Sequence, residues 1–549
     1  MKRAGIYASP PGAQLPPAPP RALASCGPMT RSLAVAALCA SLTASAAESP
    51  VVVVLPPSFQ GGRASEGLSL AIQEQASALL LSKWEWVLHG RQLANMASRH
   101  RMKLDAMGDP NVARQAAERV GARVFAYSTA TKSPKGWKLD YAVGKVGEVA
   151  VKQDSLELPA GEAALVQAAA SALAAAVRAA QGVKEDPFPT ALPSKDGAVR
   201  DFAACQALLL EQPLGLENPT VLNQTQLTRA VGLCGAAVKA DPQLHAAWGS
   251  LALAAAFLGN DERAVFALSQ AKASGTPVAN AILARFWLVT RYQSGEAGEK
   301  VLLDAIATLP GFLLARTYLP ELYTALGRHQ DAARLWQEYA ARTPTNAFII
   351  SRLAGSLAKL GKTAEAASFA EKALAFDPDS EELTLELASR YVDGGQLDKA
   401  MAVLEPLAAK KDVRGEVLVR LGYAKLLAGK LDEASALLNK AYASAKAPGE
   451  WRTRGRAKLN LALLAFKQDK KDDAKKLLGE AAKEGLSLKP TPEMKDVVAL
   501  LTPEEAQQLE AKGKAASGEV SPFPVAKGEV QPSATREKAP KGFEPVEVK

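Results

Sequence analysis

The residues closest to a known chemical motif are Gly355 to Ala367, GSLAKLGKTAEAA. A phosphate-binding loop needs G-x-x-x-x-G-K-[ST], so that its backbone N–H groups wrap the phosphates while the lysine reaches the outer ones. Five residues rather than four separate Gly355 from Gly361 here. That insertion would misaim several donors, and no P-loop is expected. The four histidines, His89, His100, His245 and His329, include no pair at metal-ligand spacing and read as surface or turn residues. H-E-x-x-H, G-x-S-x-G and G-x-G-x-x-G are all absent. Carboxylate pairs such as Glu381-Glu382 sit at expected helix starts, where they favour the dipole. No catalytic residue, metal site or cofactor is therefore nominated. Cys205 and Cys234 remain downstream of residue 47. In an exported protein the two could form a disulfide; the preferred expectation is two buried thiols on packed helices.

The chain around these residues has 549 positions, 48% hydrophobic but only 6% aromatic, with abundant Ala. Such a composition suits thin, closely packed helices. The net charge of +9 is modest, and no dense Lys/Arg cluster interleaved with aromatics supports a nucleic-acid surface. The strongest signal is a period. Gly327, Gly361, Gly395 and Gly429 are each 34 residues apart, and Gly259 keeps their register. Ala264, Ala332, Ala366, Ala400 and Ala434 form a second series, and Pro242, Pro310, Pro344 and Pro378 a third. Fixed self-similarity at this length is the mark of a stacked repeat.

The pattern resembles the tetratricopeptide repeat (TPR). The resemblance implies two antiparallel helices per unit, Gly ending the first, Ala where the second crosses it, and Pro closing the second. About eight units are expected over 201–487, stacked as a right-handed superhelix with a concave groove. Gln293 stands at a Gly position, Gly298 at an Ala position, and Pro320 interrupts a first helix, where a kink or late start is expected. The resemblance also implies that first helices line the groove. The positions this assigns to partner binding are Trp287, Arg291, Tyr318, Glu321, Arg352, Lys359 and Tyr423. The carboxylate clamp of chaperone-binding members is missing: Gly249, Leu253, Leu283, Trp287, Thr317 and Glu321 occupy the corresponding places.

Residues 48–182 have another character. VVVVLPP (Val51–Pro57) reads as a strand buried on both faces. Helical stretches follow, then three strands with turns at Pro134-Lys135-Gly136 and near Gly147, then an Ala-rich helix over 161–181. That last stretch reads as a packed helix rather than a membrane span, because Gln167 and Arg178 interrupt it. The order β-α-β-α-α-β-β-β-α, with VVVVLPPSF and ERVGARVFAYS, resembles the TolB amino-terminal-type (CsgG-like) α/β domain of bacterial envelope proteins. That resemblance implies assembly or signalling roles without catalysis.

Residues 29–47, MTRSLAVAALCASLTASAA, read as an export signal: a basic start, a short apolar run and an A-x-A-like end. Residues 1–28 read as lying upstream of the true start. The Pro-containing stretch 183–200 reads as a linker, and 488–549 as a mostly disordered tail. The expectation is a mainly α protein, a TPR superhelix behind a small α/β domain. It would be a non-catalytic, exported scaffold or adaptor for protein partners, periplasmic or outer-membrane-associated, with no transmembrane span in the mature chain. An alternative is an envelope ligand-sensing module whose α/β domain binds a small molecule or glycan.

Overall fold

The computed structural model describes residues 51–61, 67–81, 86–148, 152–182, 195–211, 223–273, 278–447, 450–486, 488, 492–517 and 539–548. The expected export signal lies outside these residues.

The front region is a mixed sheet with helices. Its elements are β1 (Val51–Val54), β2 (Ser58–Gln60), α1 (Leu68–Leu79), β3 (Trp86–Val87), α2 (Gly90–Arg99), α3 (Pro110–Arg119), β4 (Val124–Ser133), β5 (Gly136–Lys145), β6 (Lys152–Pro159) and α4 (Glu162–Gln181). The strand order is β3-β1-β4-β5-β6, parallel as far as β4 and antiparallel beyond it. Val51 to Val54 are all buried, as a two-sided strand requires. Pro56 and Pro57 offer no N–H, and the chain resumes pairing as β2 farther along the same edge of β4. Helix α4 meets the long apolar criterion for a membrane span by composition. Leu165, Val166, Ala169, Leu173 and Val177 instead form a buried stripe at helical spacing, packed on the sheet and α1.

Behind it, helices run in antiparallel pairs: α5 (Asp196–Leu210), α6 (Gln224–Ala240), α7 (His245–Leu258), α8 (Asp261–Lys272), α9 (Ala279–Tyr292), α10 (Gly295–Thr308), α11 (Leu313–Ala325) and α12 (His329–Arg342). They continue as α13 (Ala347–Lys359), α14 (Thr363–Phe376), α15 (Glu381–Asp393), α16 (Leu397–Ala408), α17 (Gly415–Leu427), α18 (Leu431–Ser444), α19 (Trp451–Lys467) and α20 (Lys471–Lys483). The periodic glycines Gly259, Gly327, Gly361, Gly395 and Gly429 have φ between 71° and 81°, the left-handed turn that ends each first helix. The periodic alanines are fully buried at the helix crossings. Between α5, α7 and α9, Gln206 Oε1 accepts from Ser250 Oγ at 3.2 Å and from Asn280 Nδ2 at 3.3 Å, a polar pin inside the apolar stack.

Four expectations are corrected. Helix α5 starts at Asp196, inside the predicted linker, because Asp196 Oδ1 accepts from Ala163 N–H at 2.9 Å and ties the start of α5 to that of α4. Within the tail, α21 (Lys495–Val498) and α22 (Pro503–Ser517) extend the array, and residues 539–548 pack on it. Helix α11 starts at Leu313 and includes Pro320, so there is no late start; Thr324 Oγ1 donates to the Pro320 carbonyl at 3.0 Å. Cys205 and Cys234 are bonded as a disulfide joining α5 to α6, not held as thiols.

One apolar core runs from β1 through the front sheet and into the helix pairs as far as α14. The two regions that differ in sequence pattern are one packed body.

Candidate partner-binding groove

Helix α2 is one of the elements that dock the front region into the helical array. His89 caps that helix: its Nδ1 accepts from Arg91 N–H at 3.2 Å, while Gln92 Oε1 accepts from His89 N–H at 3.2 Å. The cap aims Arg91 into the array, where it is 2% exposed beside Tyr318 and Glu74. Burial, helped by Arg91, pushes His89 down to about 3, so it is neutral near pH 7 and its 3.7 Å approach to Glu74 is no ion pair. Burial pushes the Glu74 carboxyl up to about 7, with Arg91 opposing. Burial likewise pushes the Tyr318 hydroxyl up to about 12. Both His89 and His100 are thus interior groups, contrary to the surface or turn role expected of them; His100 Nε2 lies 2.9 Å from Asp377 and its ring meets Arg119.

The seam continues on both sides. Gln92 Nε2 donates to Thr317 Oγ1 at 3.4 Å, Arg119 Nη1 to Asp377 Oδ1 at 3.1 Å, and Arg99 pairs with Glu382 at 3.0 Å. Phe348 lies between two guanidiniums, that of Arg99 at 5.4 Å and that of Arg352 at 5.0 Å. Trp86 of β3 is likewise faced by Arg316 and Arg342 and meets Tyr339 edge-on at 5.4 Å. Between α2, α11 and α13 a cavity of 120 Å³ remains.

The groove residues nominated from sequence separate into three sets. Tyr318, Glu321 and Arg352 come together under α2, and Arg352 pairs with Glu321 at 3.8 Å. Trp287 is buried against Phe257, with ring centres 5.0 Å apart, and Arg291 pairs with Asp261 at 2.6 Å. Lys359 is exposed at the end of α13, and Tyr423 packs against the cluster of α17–α20. The nominated surface is largely taken up by the chain's own front region and by neighbouring repeats. Nothing in the repeat register could have announced that occupant, since its partner residues lie more than 200 positions away.

Beyond α2 the first helices α15, α17 and α19 border an open cleft that sequence reading missed. Glu416 is its hub. Arg420 Nη2 reaches Glu416 at 2.9 Å, Arg456 Nη1 at 3.4 Å and Arg414 Nη2 at 3.5 Å. Burial alone would raise the Glu416 carboxyl; Arg420, Arg456 and Arg414 together hold it below the ordinary range. Arg456 is held below its own ordinary value by burial and by Arg420. Arg414 also pairs with Glu381 at 3.1 Å, so three guanidiniums face two carboxylates, and Arg452 and Lys411 line the same space. The wall on α15 is the opposite, with Glu382 and Glu386. Such a cleft can orient an extended segment that is acidic at one end. Among the described residues, no group of three or more His, Cys, Asp or Glu side chains could hold a metal ion.

Residues 357–418 match the tetratricopeptide repeat family model. No curated protein matches the chain. Among solved structures, yeast Tom70 is similar at 18% identity over 60% of this chain and 66% of that one, just under two thirds of its length, with a TM-score of 0.40. A thermophilic TPR protein of Thermus thermophilus is 20% identical over 37% of this chain and 96% of that one, with a TM-score of 0.28. YrrB, described as a TPR protein with an unusual peptide-binding site, is 17% identical over 33% and 91%, with a TM-score of 0.25. The helix-pair array is a TPR fold behind a small α/β region, a kind of array whose stacked units offer extended surfaces to protein or peptide partners.

Proposed function

We propose that this protein is an exported, non-catalytic scaffold of the bacterial envelope that binds an acidic segment of a partner protein in the cleft of α15, α17 and α19. The observation that carries the reading is the convergence of Arg414, Arg420 and Arg456 on Glu416, in the part of the groove that α2 leaves open. Partly exposed cationic hubs of this kind can recognise carboxylates through charge-assisted hydrogen bonds. Export is supported by the segment 29–47 and by the Cys205–Cys234 bridge, since disulfides persist in oxidising compartments. The TolB amino-terminal-type resemblance of residues 48–182 supports the envelope role.

The test is a crosslinking pull-down from the native envelope fraction with wild type and with Arg420→Ala/Arg456→Ala. The double variant should lose a partner whose crosslinked peptide is acidic, and wild-type capture of it should weaken as salt rises from roughly 0.1 to 0.5 M. Retention of the same partners by the double variant would move the working surface elsewhere. Recovery of the chain in the cytoplasm would remove the export half of the reading.

A further inference from the structure

A turn that breaks the glycine series holds a second site. Where Gly259, Gly327, Gly361, Gly395 and Gly429 have positive φ, Gln293 sits at φ −114° and ψ −89° after α9. Its side-chain amide is engaged at both ends by a distant backbone: Gln293 Nε2 donates to the Val546 carbonyl at 2.7 Å, and Val546 N–H donates to Gln293 Oε1 at 2.7 Å. That is the hydrogen-bond pair one strand offers another, presented by a side chain. Around it the segment Gly542–Val546 is read residue by residue. Phe543 meets Tyr292 with ring centres 5.7 Å apart, and Val546 is 7% exposed within the main core. Glu544 pairs with Lys272 at 2.8 Å and lies 3.8 Å from Arg285. Gly542, at φ +82°, closes on Val265.

The notch belongs to α8, α9 and α10, with Leu268, Ile282 and Leu288 supplying apolar lining. At 100° per residue, Ile282 and Arg285 fall on the side of α9 away from Trp287 and Arg291, with Leu288 at its border. The notch is therefore separate from the groove and does not depend on the function proposed for it.

We propose that this notch is a peptide-recognition site whose resident ligand is the chain's own segment Gly542–Val546. It takes an extended segment with an aromatic–acidic pair and an aliphatic residue two positions after the acid. Gln293 reads the backbone, Lys272 and Arg285 the acid, and the apolar lining the two hydrophobic side chains. While the segment is docked, no other extended peptide of that pattern can enter, so the C-terminus acts as a competitor built into the chain.

The experiment uses a fluorescein-labelled peptide of residues 539–549 with the intact chain and with the chain ended after Lys538. The peptide should bind the shortened chain and bind the intact chain at least about tenfold more weakly, the difference being self-competition. Gln293→Gly in the shortened chain, or Glu544→Lys in the peptide, should each weaken binding by about tenfold or more. Absence of binding to the shortened, folded chain, equal binding to both chains, or indifference to both substitutions would overturn the site. A measurement in the intact chain guards against misfolding of the shortened one: amide exchange at Val546 should be slow in wild type and fast in Gln293→Gly. Free-peptide exchange rates at Val546 in wild type would also overturn it. A dimer by light scattering that becomes monomeric on shortening would place the segment on a second copy and overturn the assignment within one chain.

Discussion

Asn346 Nδ2 donates to the Val120 carbonyl at 2.7 Å, while Oδ1 of the same side chain accepts from Ile349 N–H at 3.1 Å and caps α13. One amide thus starts a helix of the array and holds the loop after α3. An ionised aspartate, which only accepts, could not do both. Asn346→Ala should destabilise the protein by about 2–4 kcal/mol, the sum of a lost cap and a carbonyl left buried without its donor. Asn346→Asp should keep the cap and lose only the second part. Denaturant unfolding of the two variants separates these contributions.

Gly298 occupies a position that the other units fill with Ala. A Cβ built there would lie 2.4 Å from Thr290 Cγ2 and 3.2 Å from the Phe286 ring. Gly298→Ala, a change toward the consensus, should therefore destabilise the fold by about 1–3 kcal/mol through overpacking. Thr290→Ser removes the methyl in the way and should recover much of the loss in the double variant. Additive losses in a double-mutant cycle would contradict the packing argument.

The disulfide between Cys205 and Cys234 closes a loop over a separation of 29 residues. By loop-closure entropy its removal should cost about 3–4 kcal/mol. Denaturation midpoints with and without reductant, compared with Cys205→Ser/Cys234→Ser, give the value. Equal midpoints in both conditions would mean the unfolded chain gains nothing from the bridge.

Acidity should act on the seam through two groups with opposite signs. Glu74 is raised from 4.5 to about 7, so the native state holds a proton that the unfolded state has released across that window. Its contribution is present below pH 4.5 and lost as pH rises toward 7, each unit being worth about 1.4 kcal/mol. His89 is lowered from 6.5 to about 3, so its contribution is present above pH 6.5 and lost as pH falls toward 3. In wild type the two slopes oppose each other between pH 4.5 and 6.5. Glu74→Gln should remove the first and leave stability rising steadily from pH 3 to 6.5. An unchanged profile in that variant would place the Glu74 proton elsewhere.

The array was legible in the sequence because its determinants are local and repeated. Gly361 and Ala366 say turn and crossing without reference to anything beyond their own unit. Strands β4 and β5 were legible for a similar reason, since a turn at Pro134-Lys135-Gly136 fixes their pairing. The groove was not, because what fills it comes from another part of the chain. Tyr318 and Arg352 stand in register for a partner, yet it is Arg91 and Arg99 that meet them and Phe348. Arg420 and Arg456 passed unnoticed since their meaning comes from Glu416 lying between them. Gln293 was visible as a departure from the repeat, but only Val546 gives that departure a purpose.

Strand β3 is only two residues long, yet it carries a consequence for how this protein can be divided. On one side it pairs with β1; on the other, Val87 N–H donates to the Gly311 carbonyl at 2.8 Å, in the loop before α11. The repeat array thereby covers the outer edge of the sheet and the face of Trp86. Residues 48–182 expressed alone would expose an unpaired strand edge and a bare aromatic face, a template for sticking to other copies. The proline-bearing stretch after residue 182 marks a change of sequence pattern, but it is no seam for scissors.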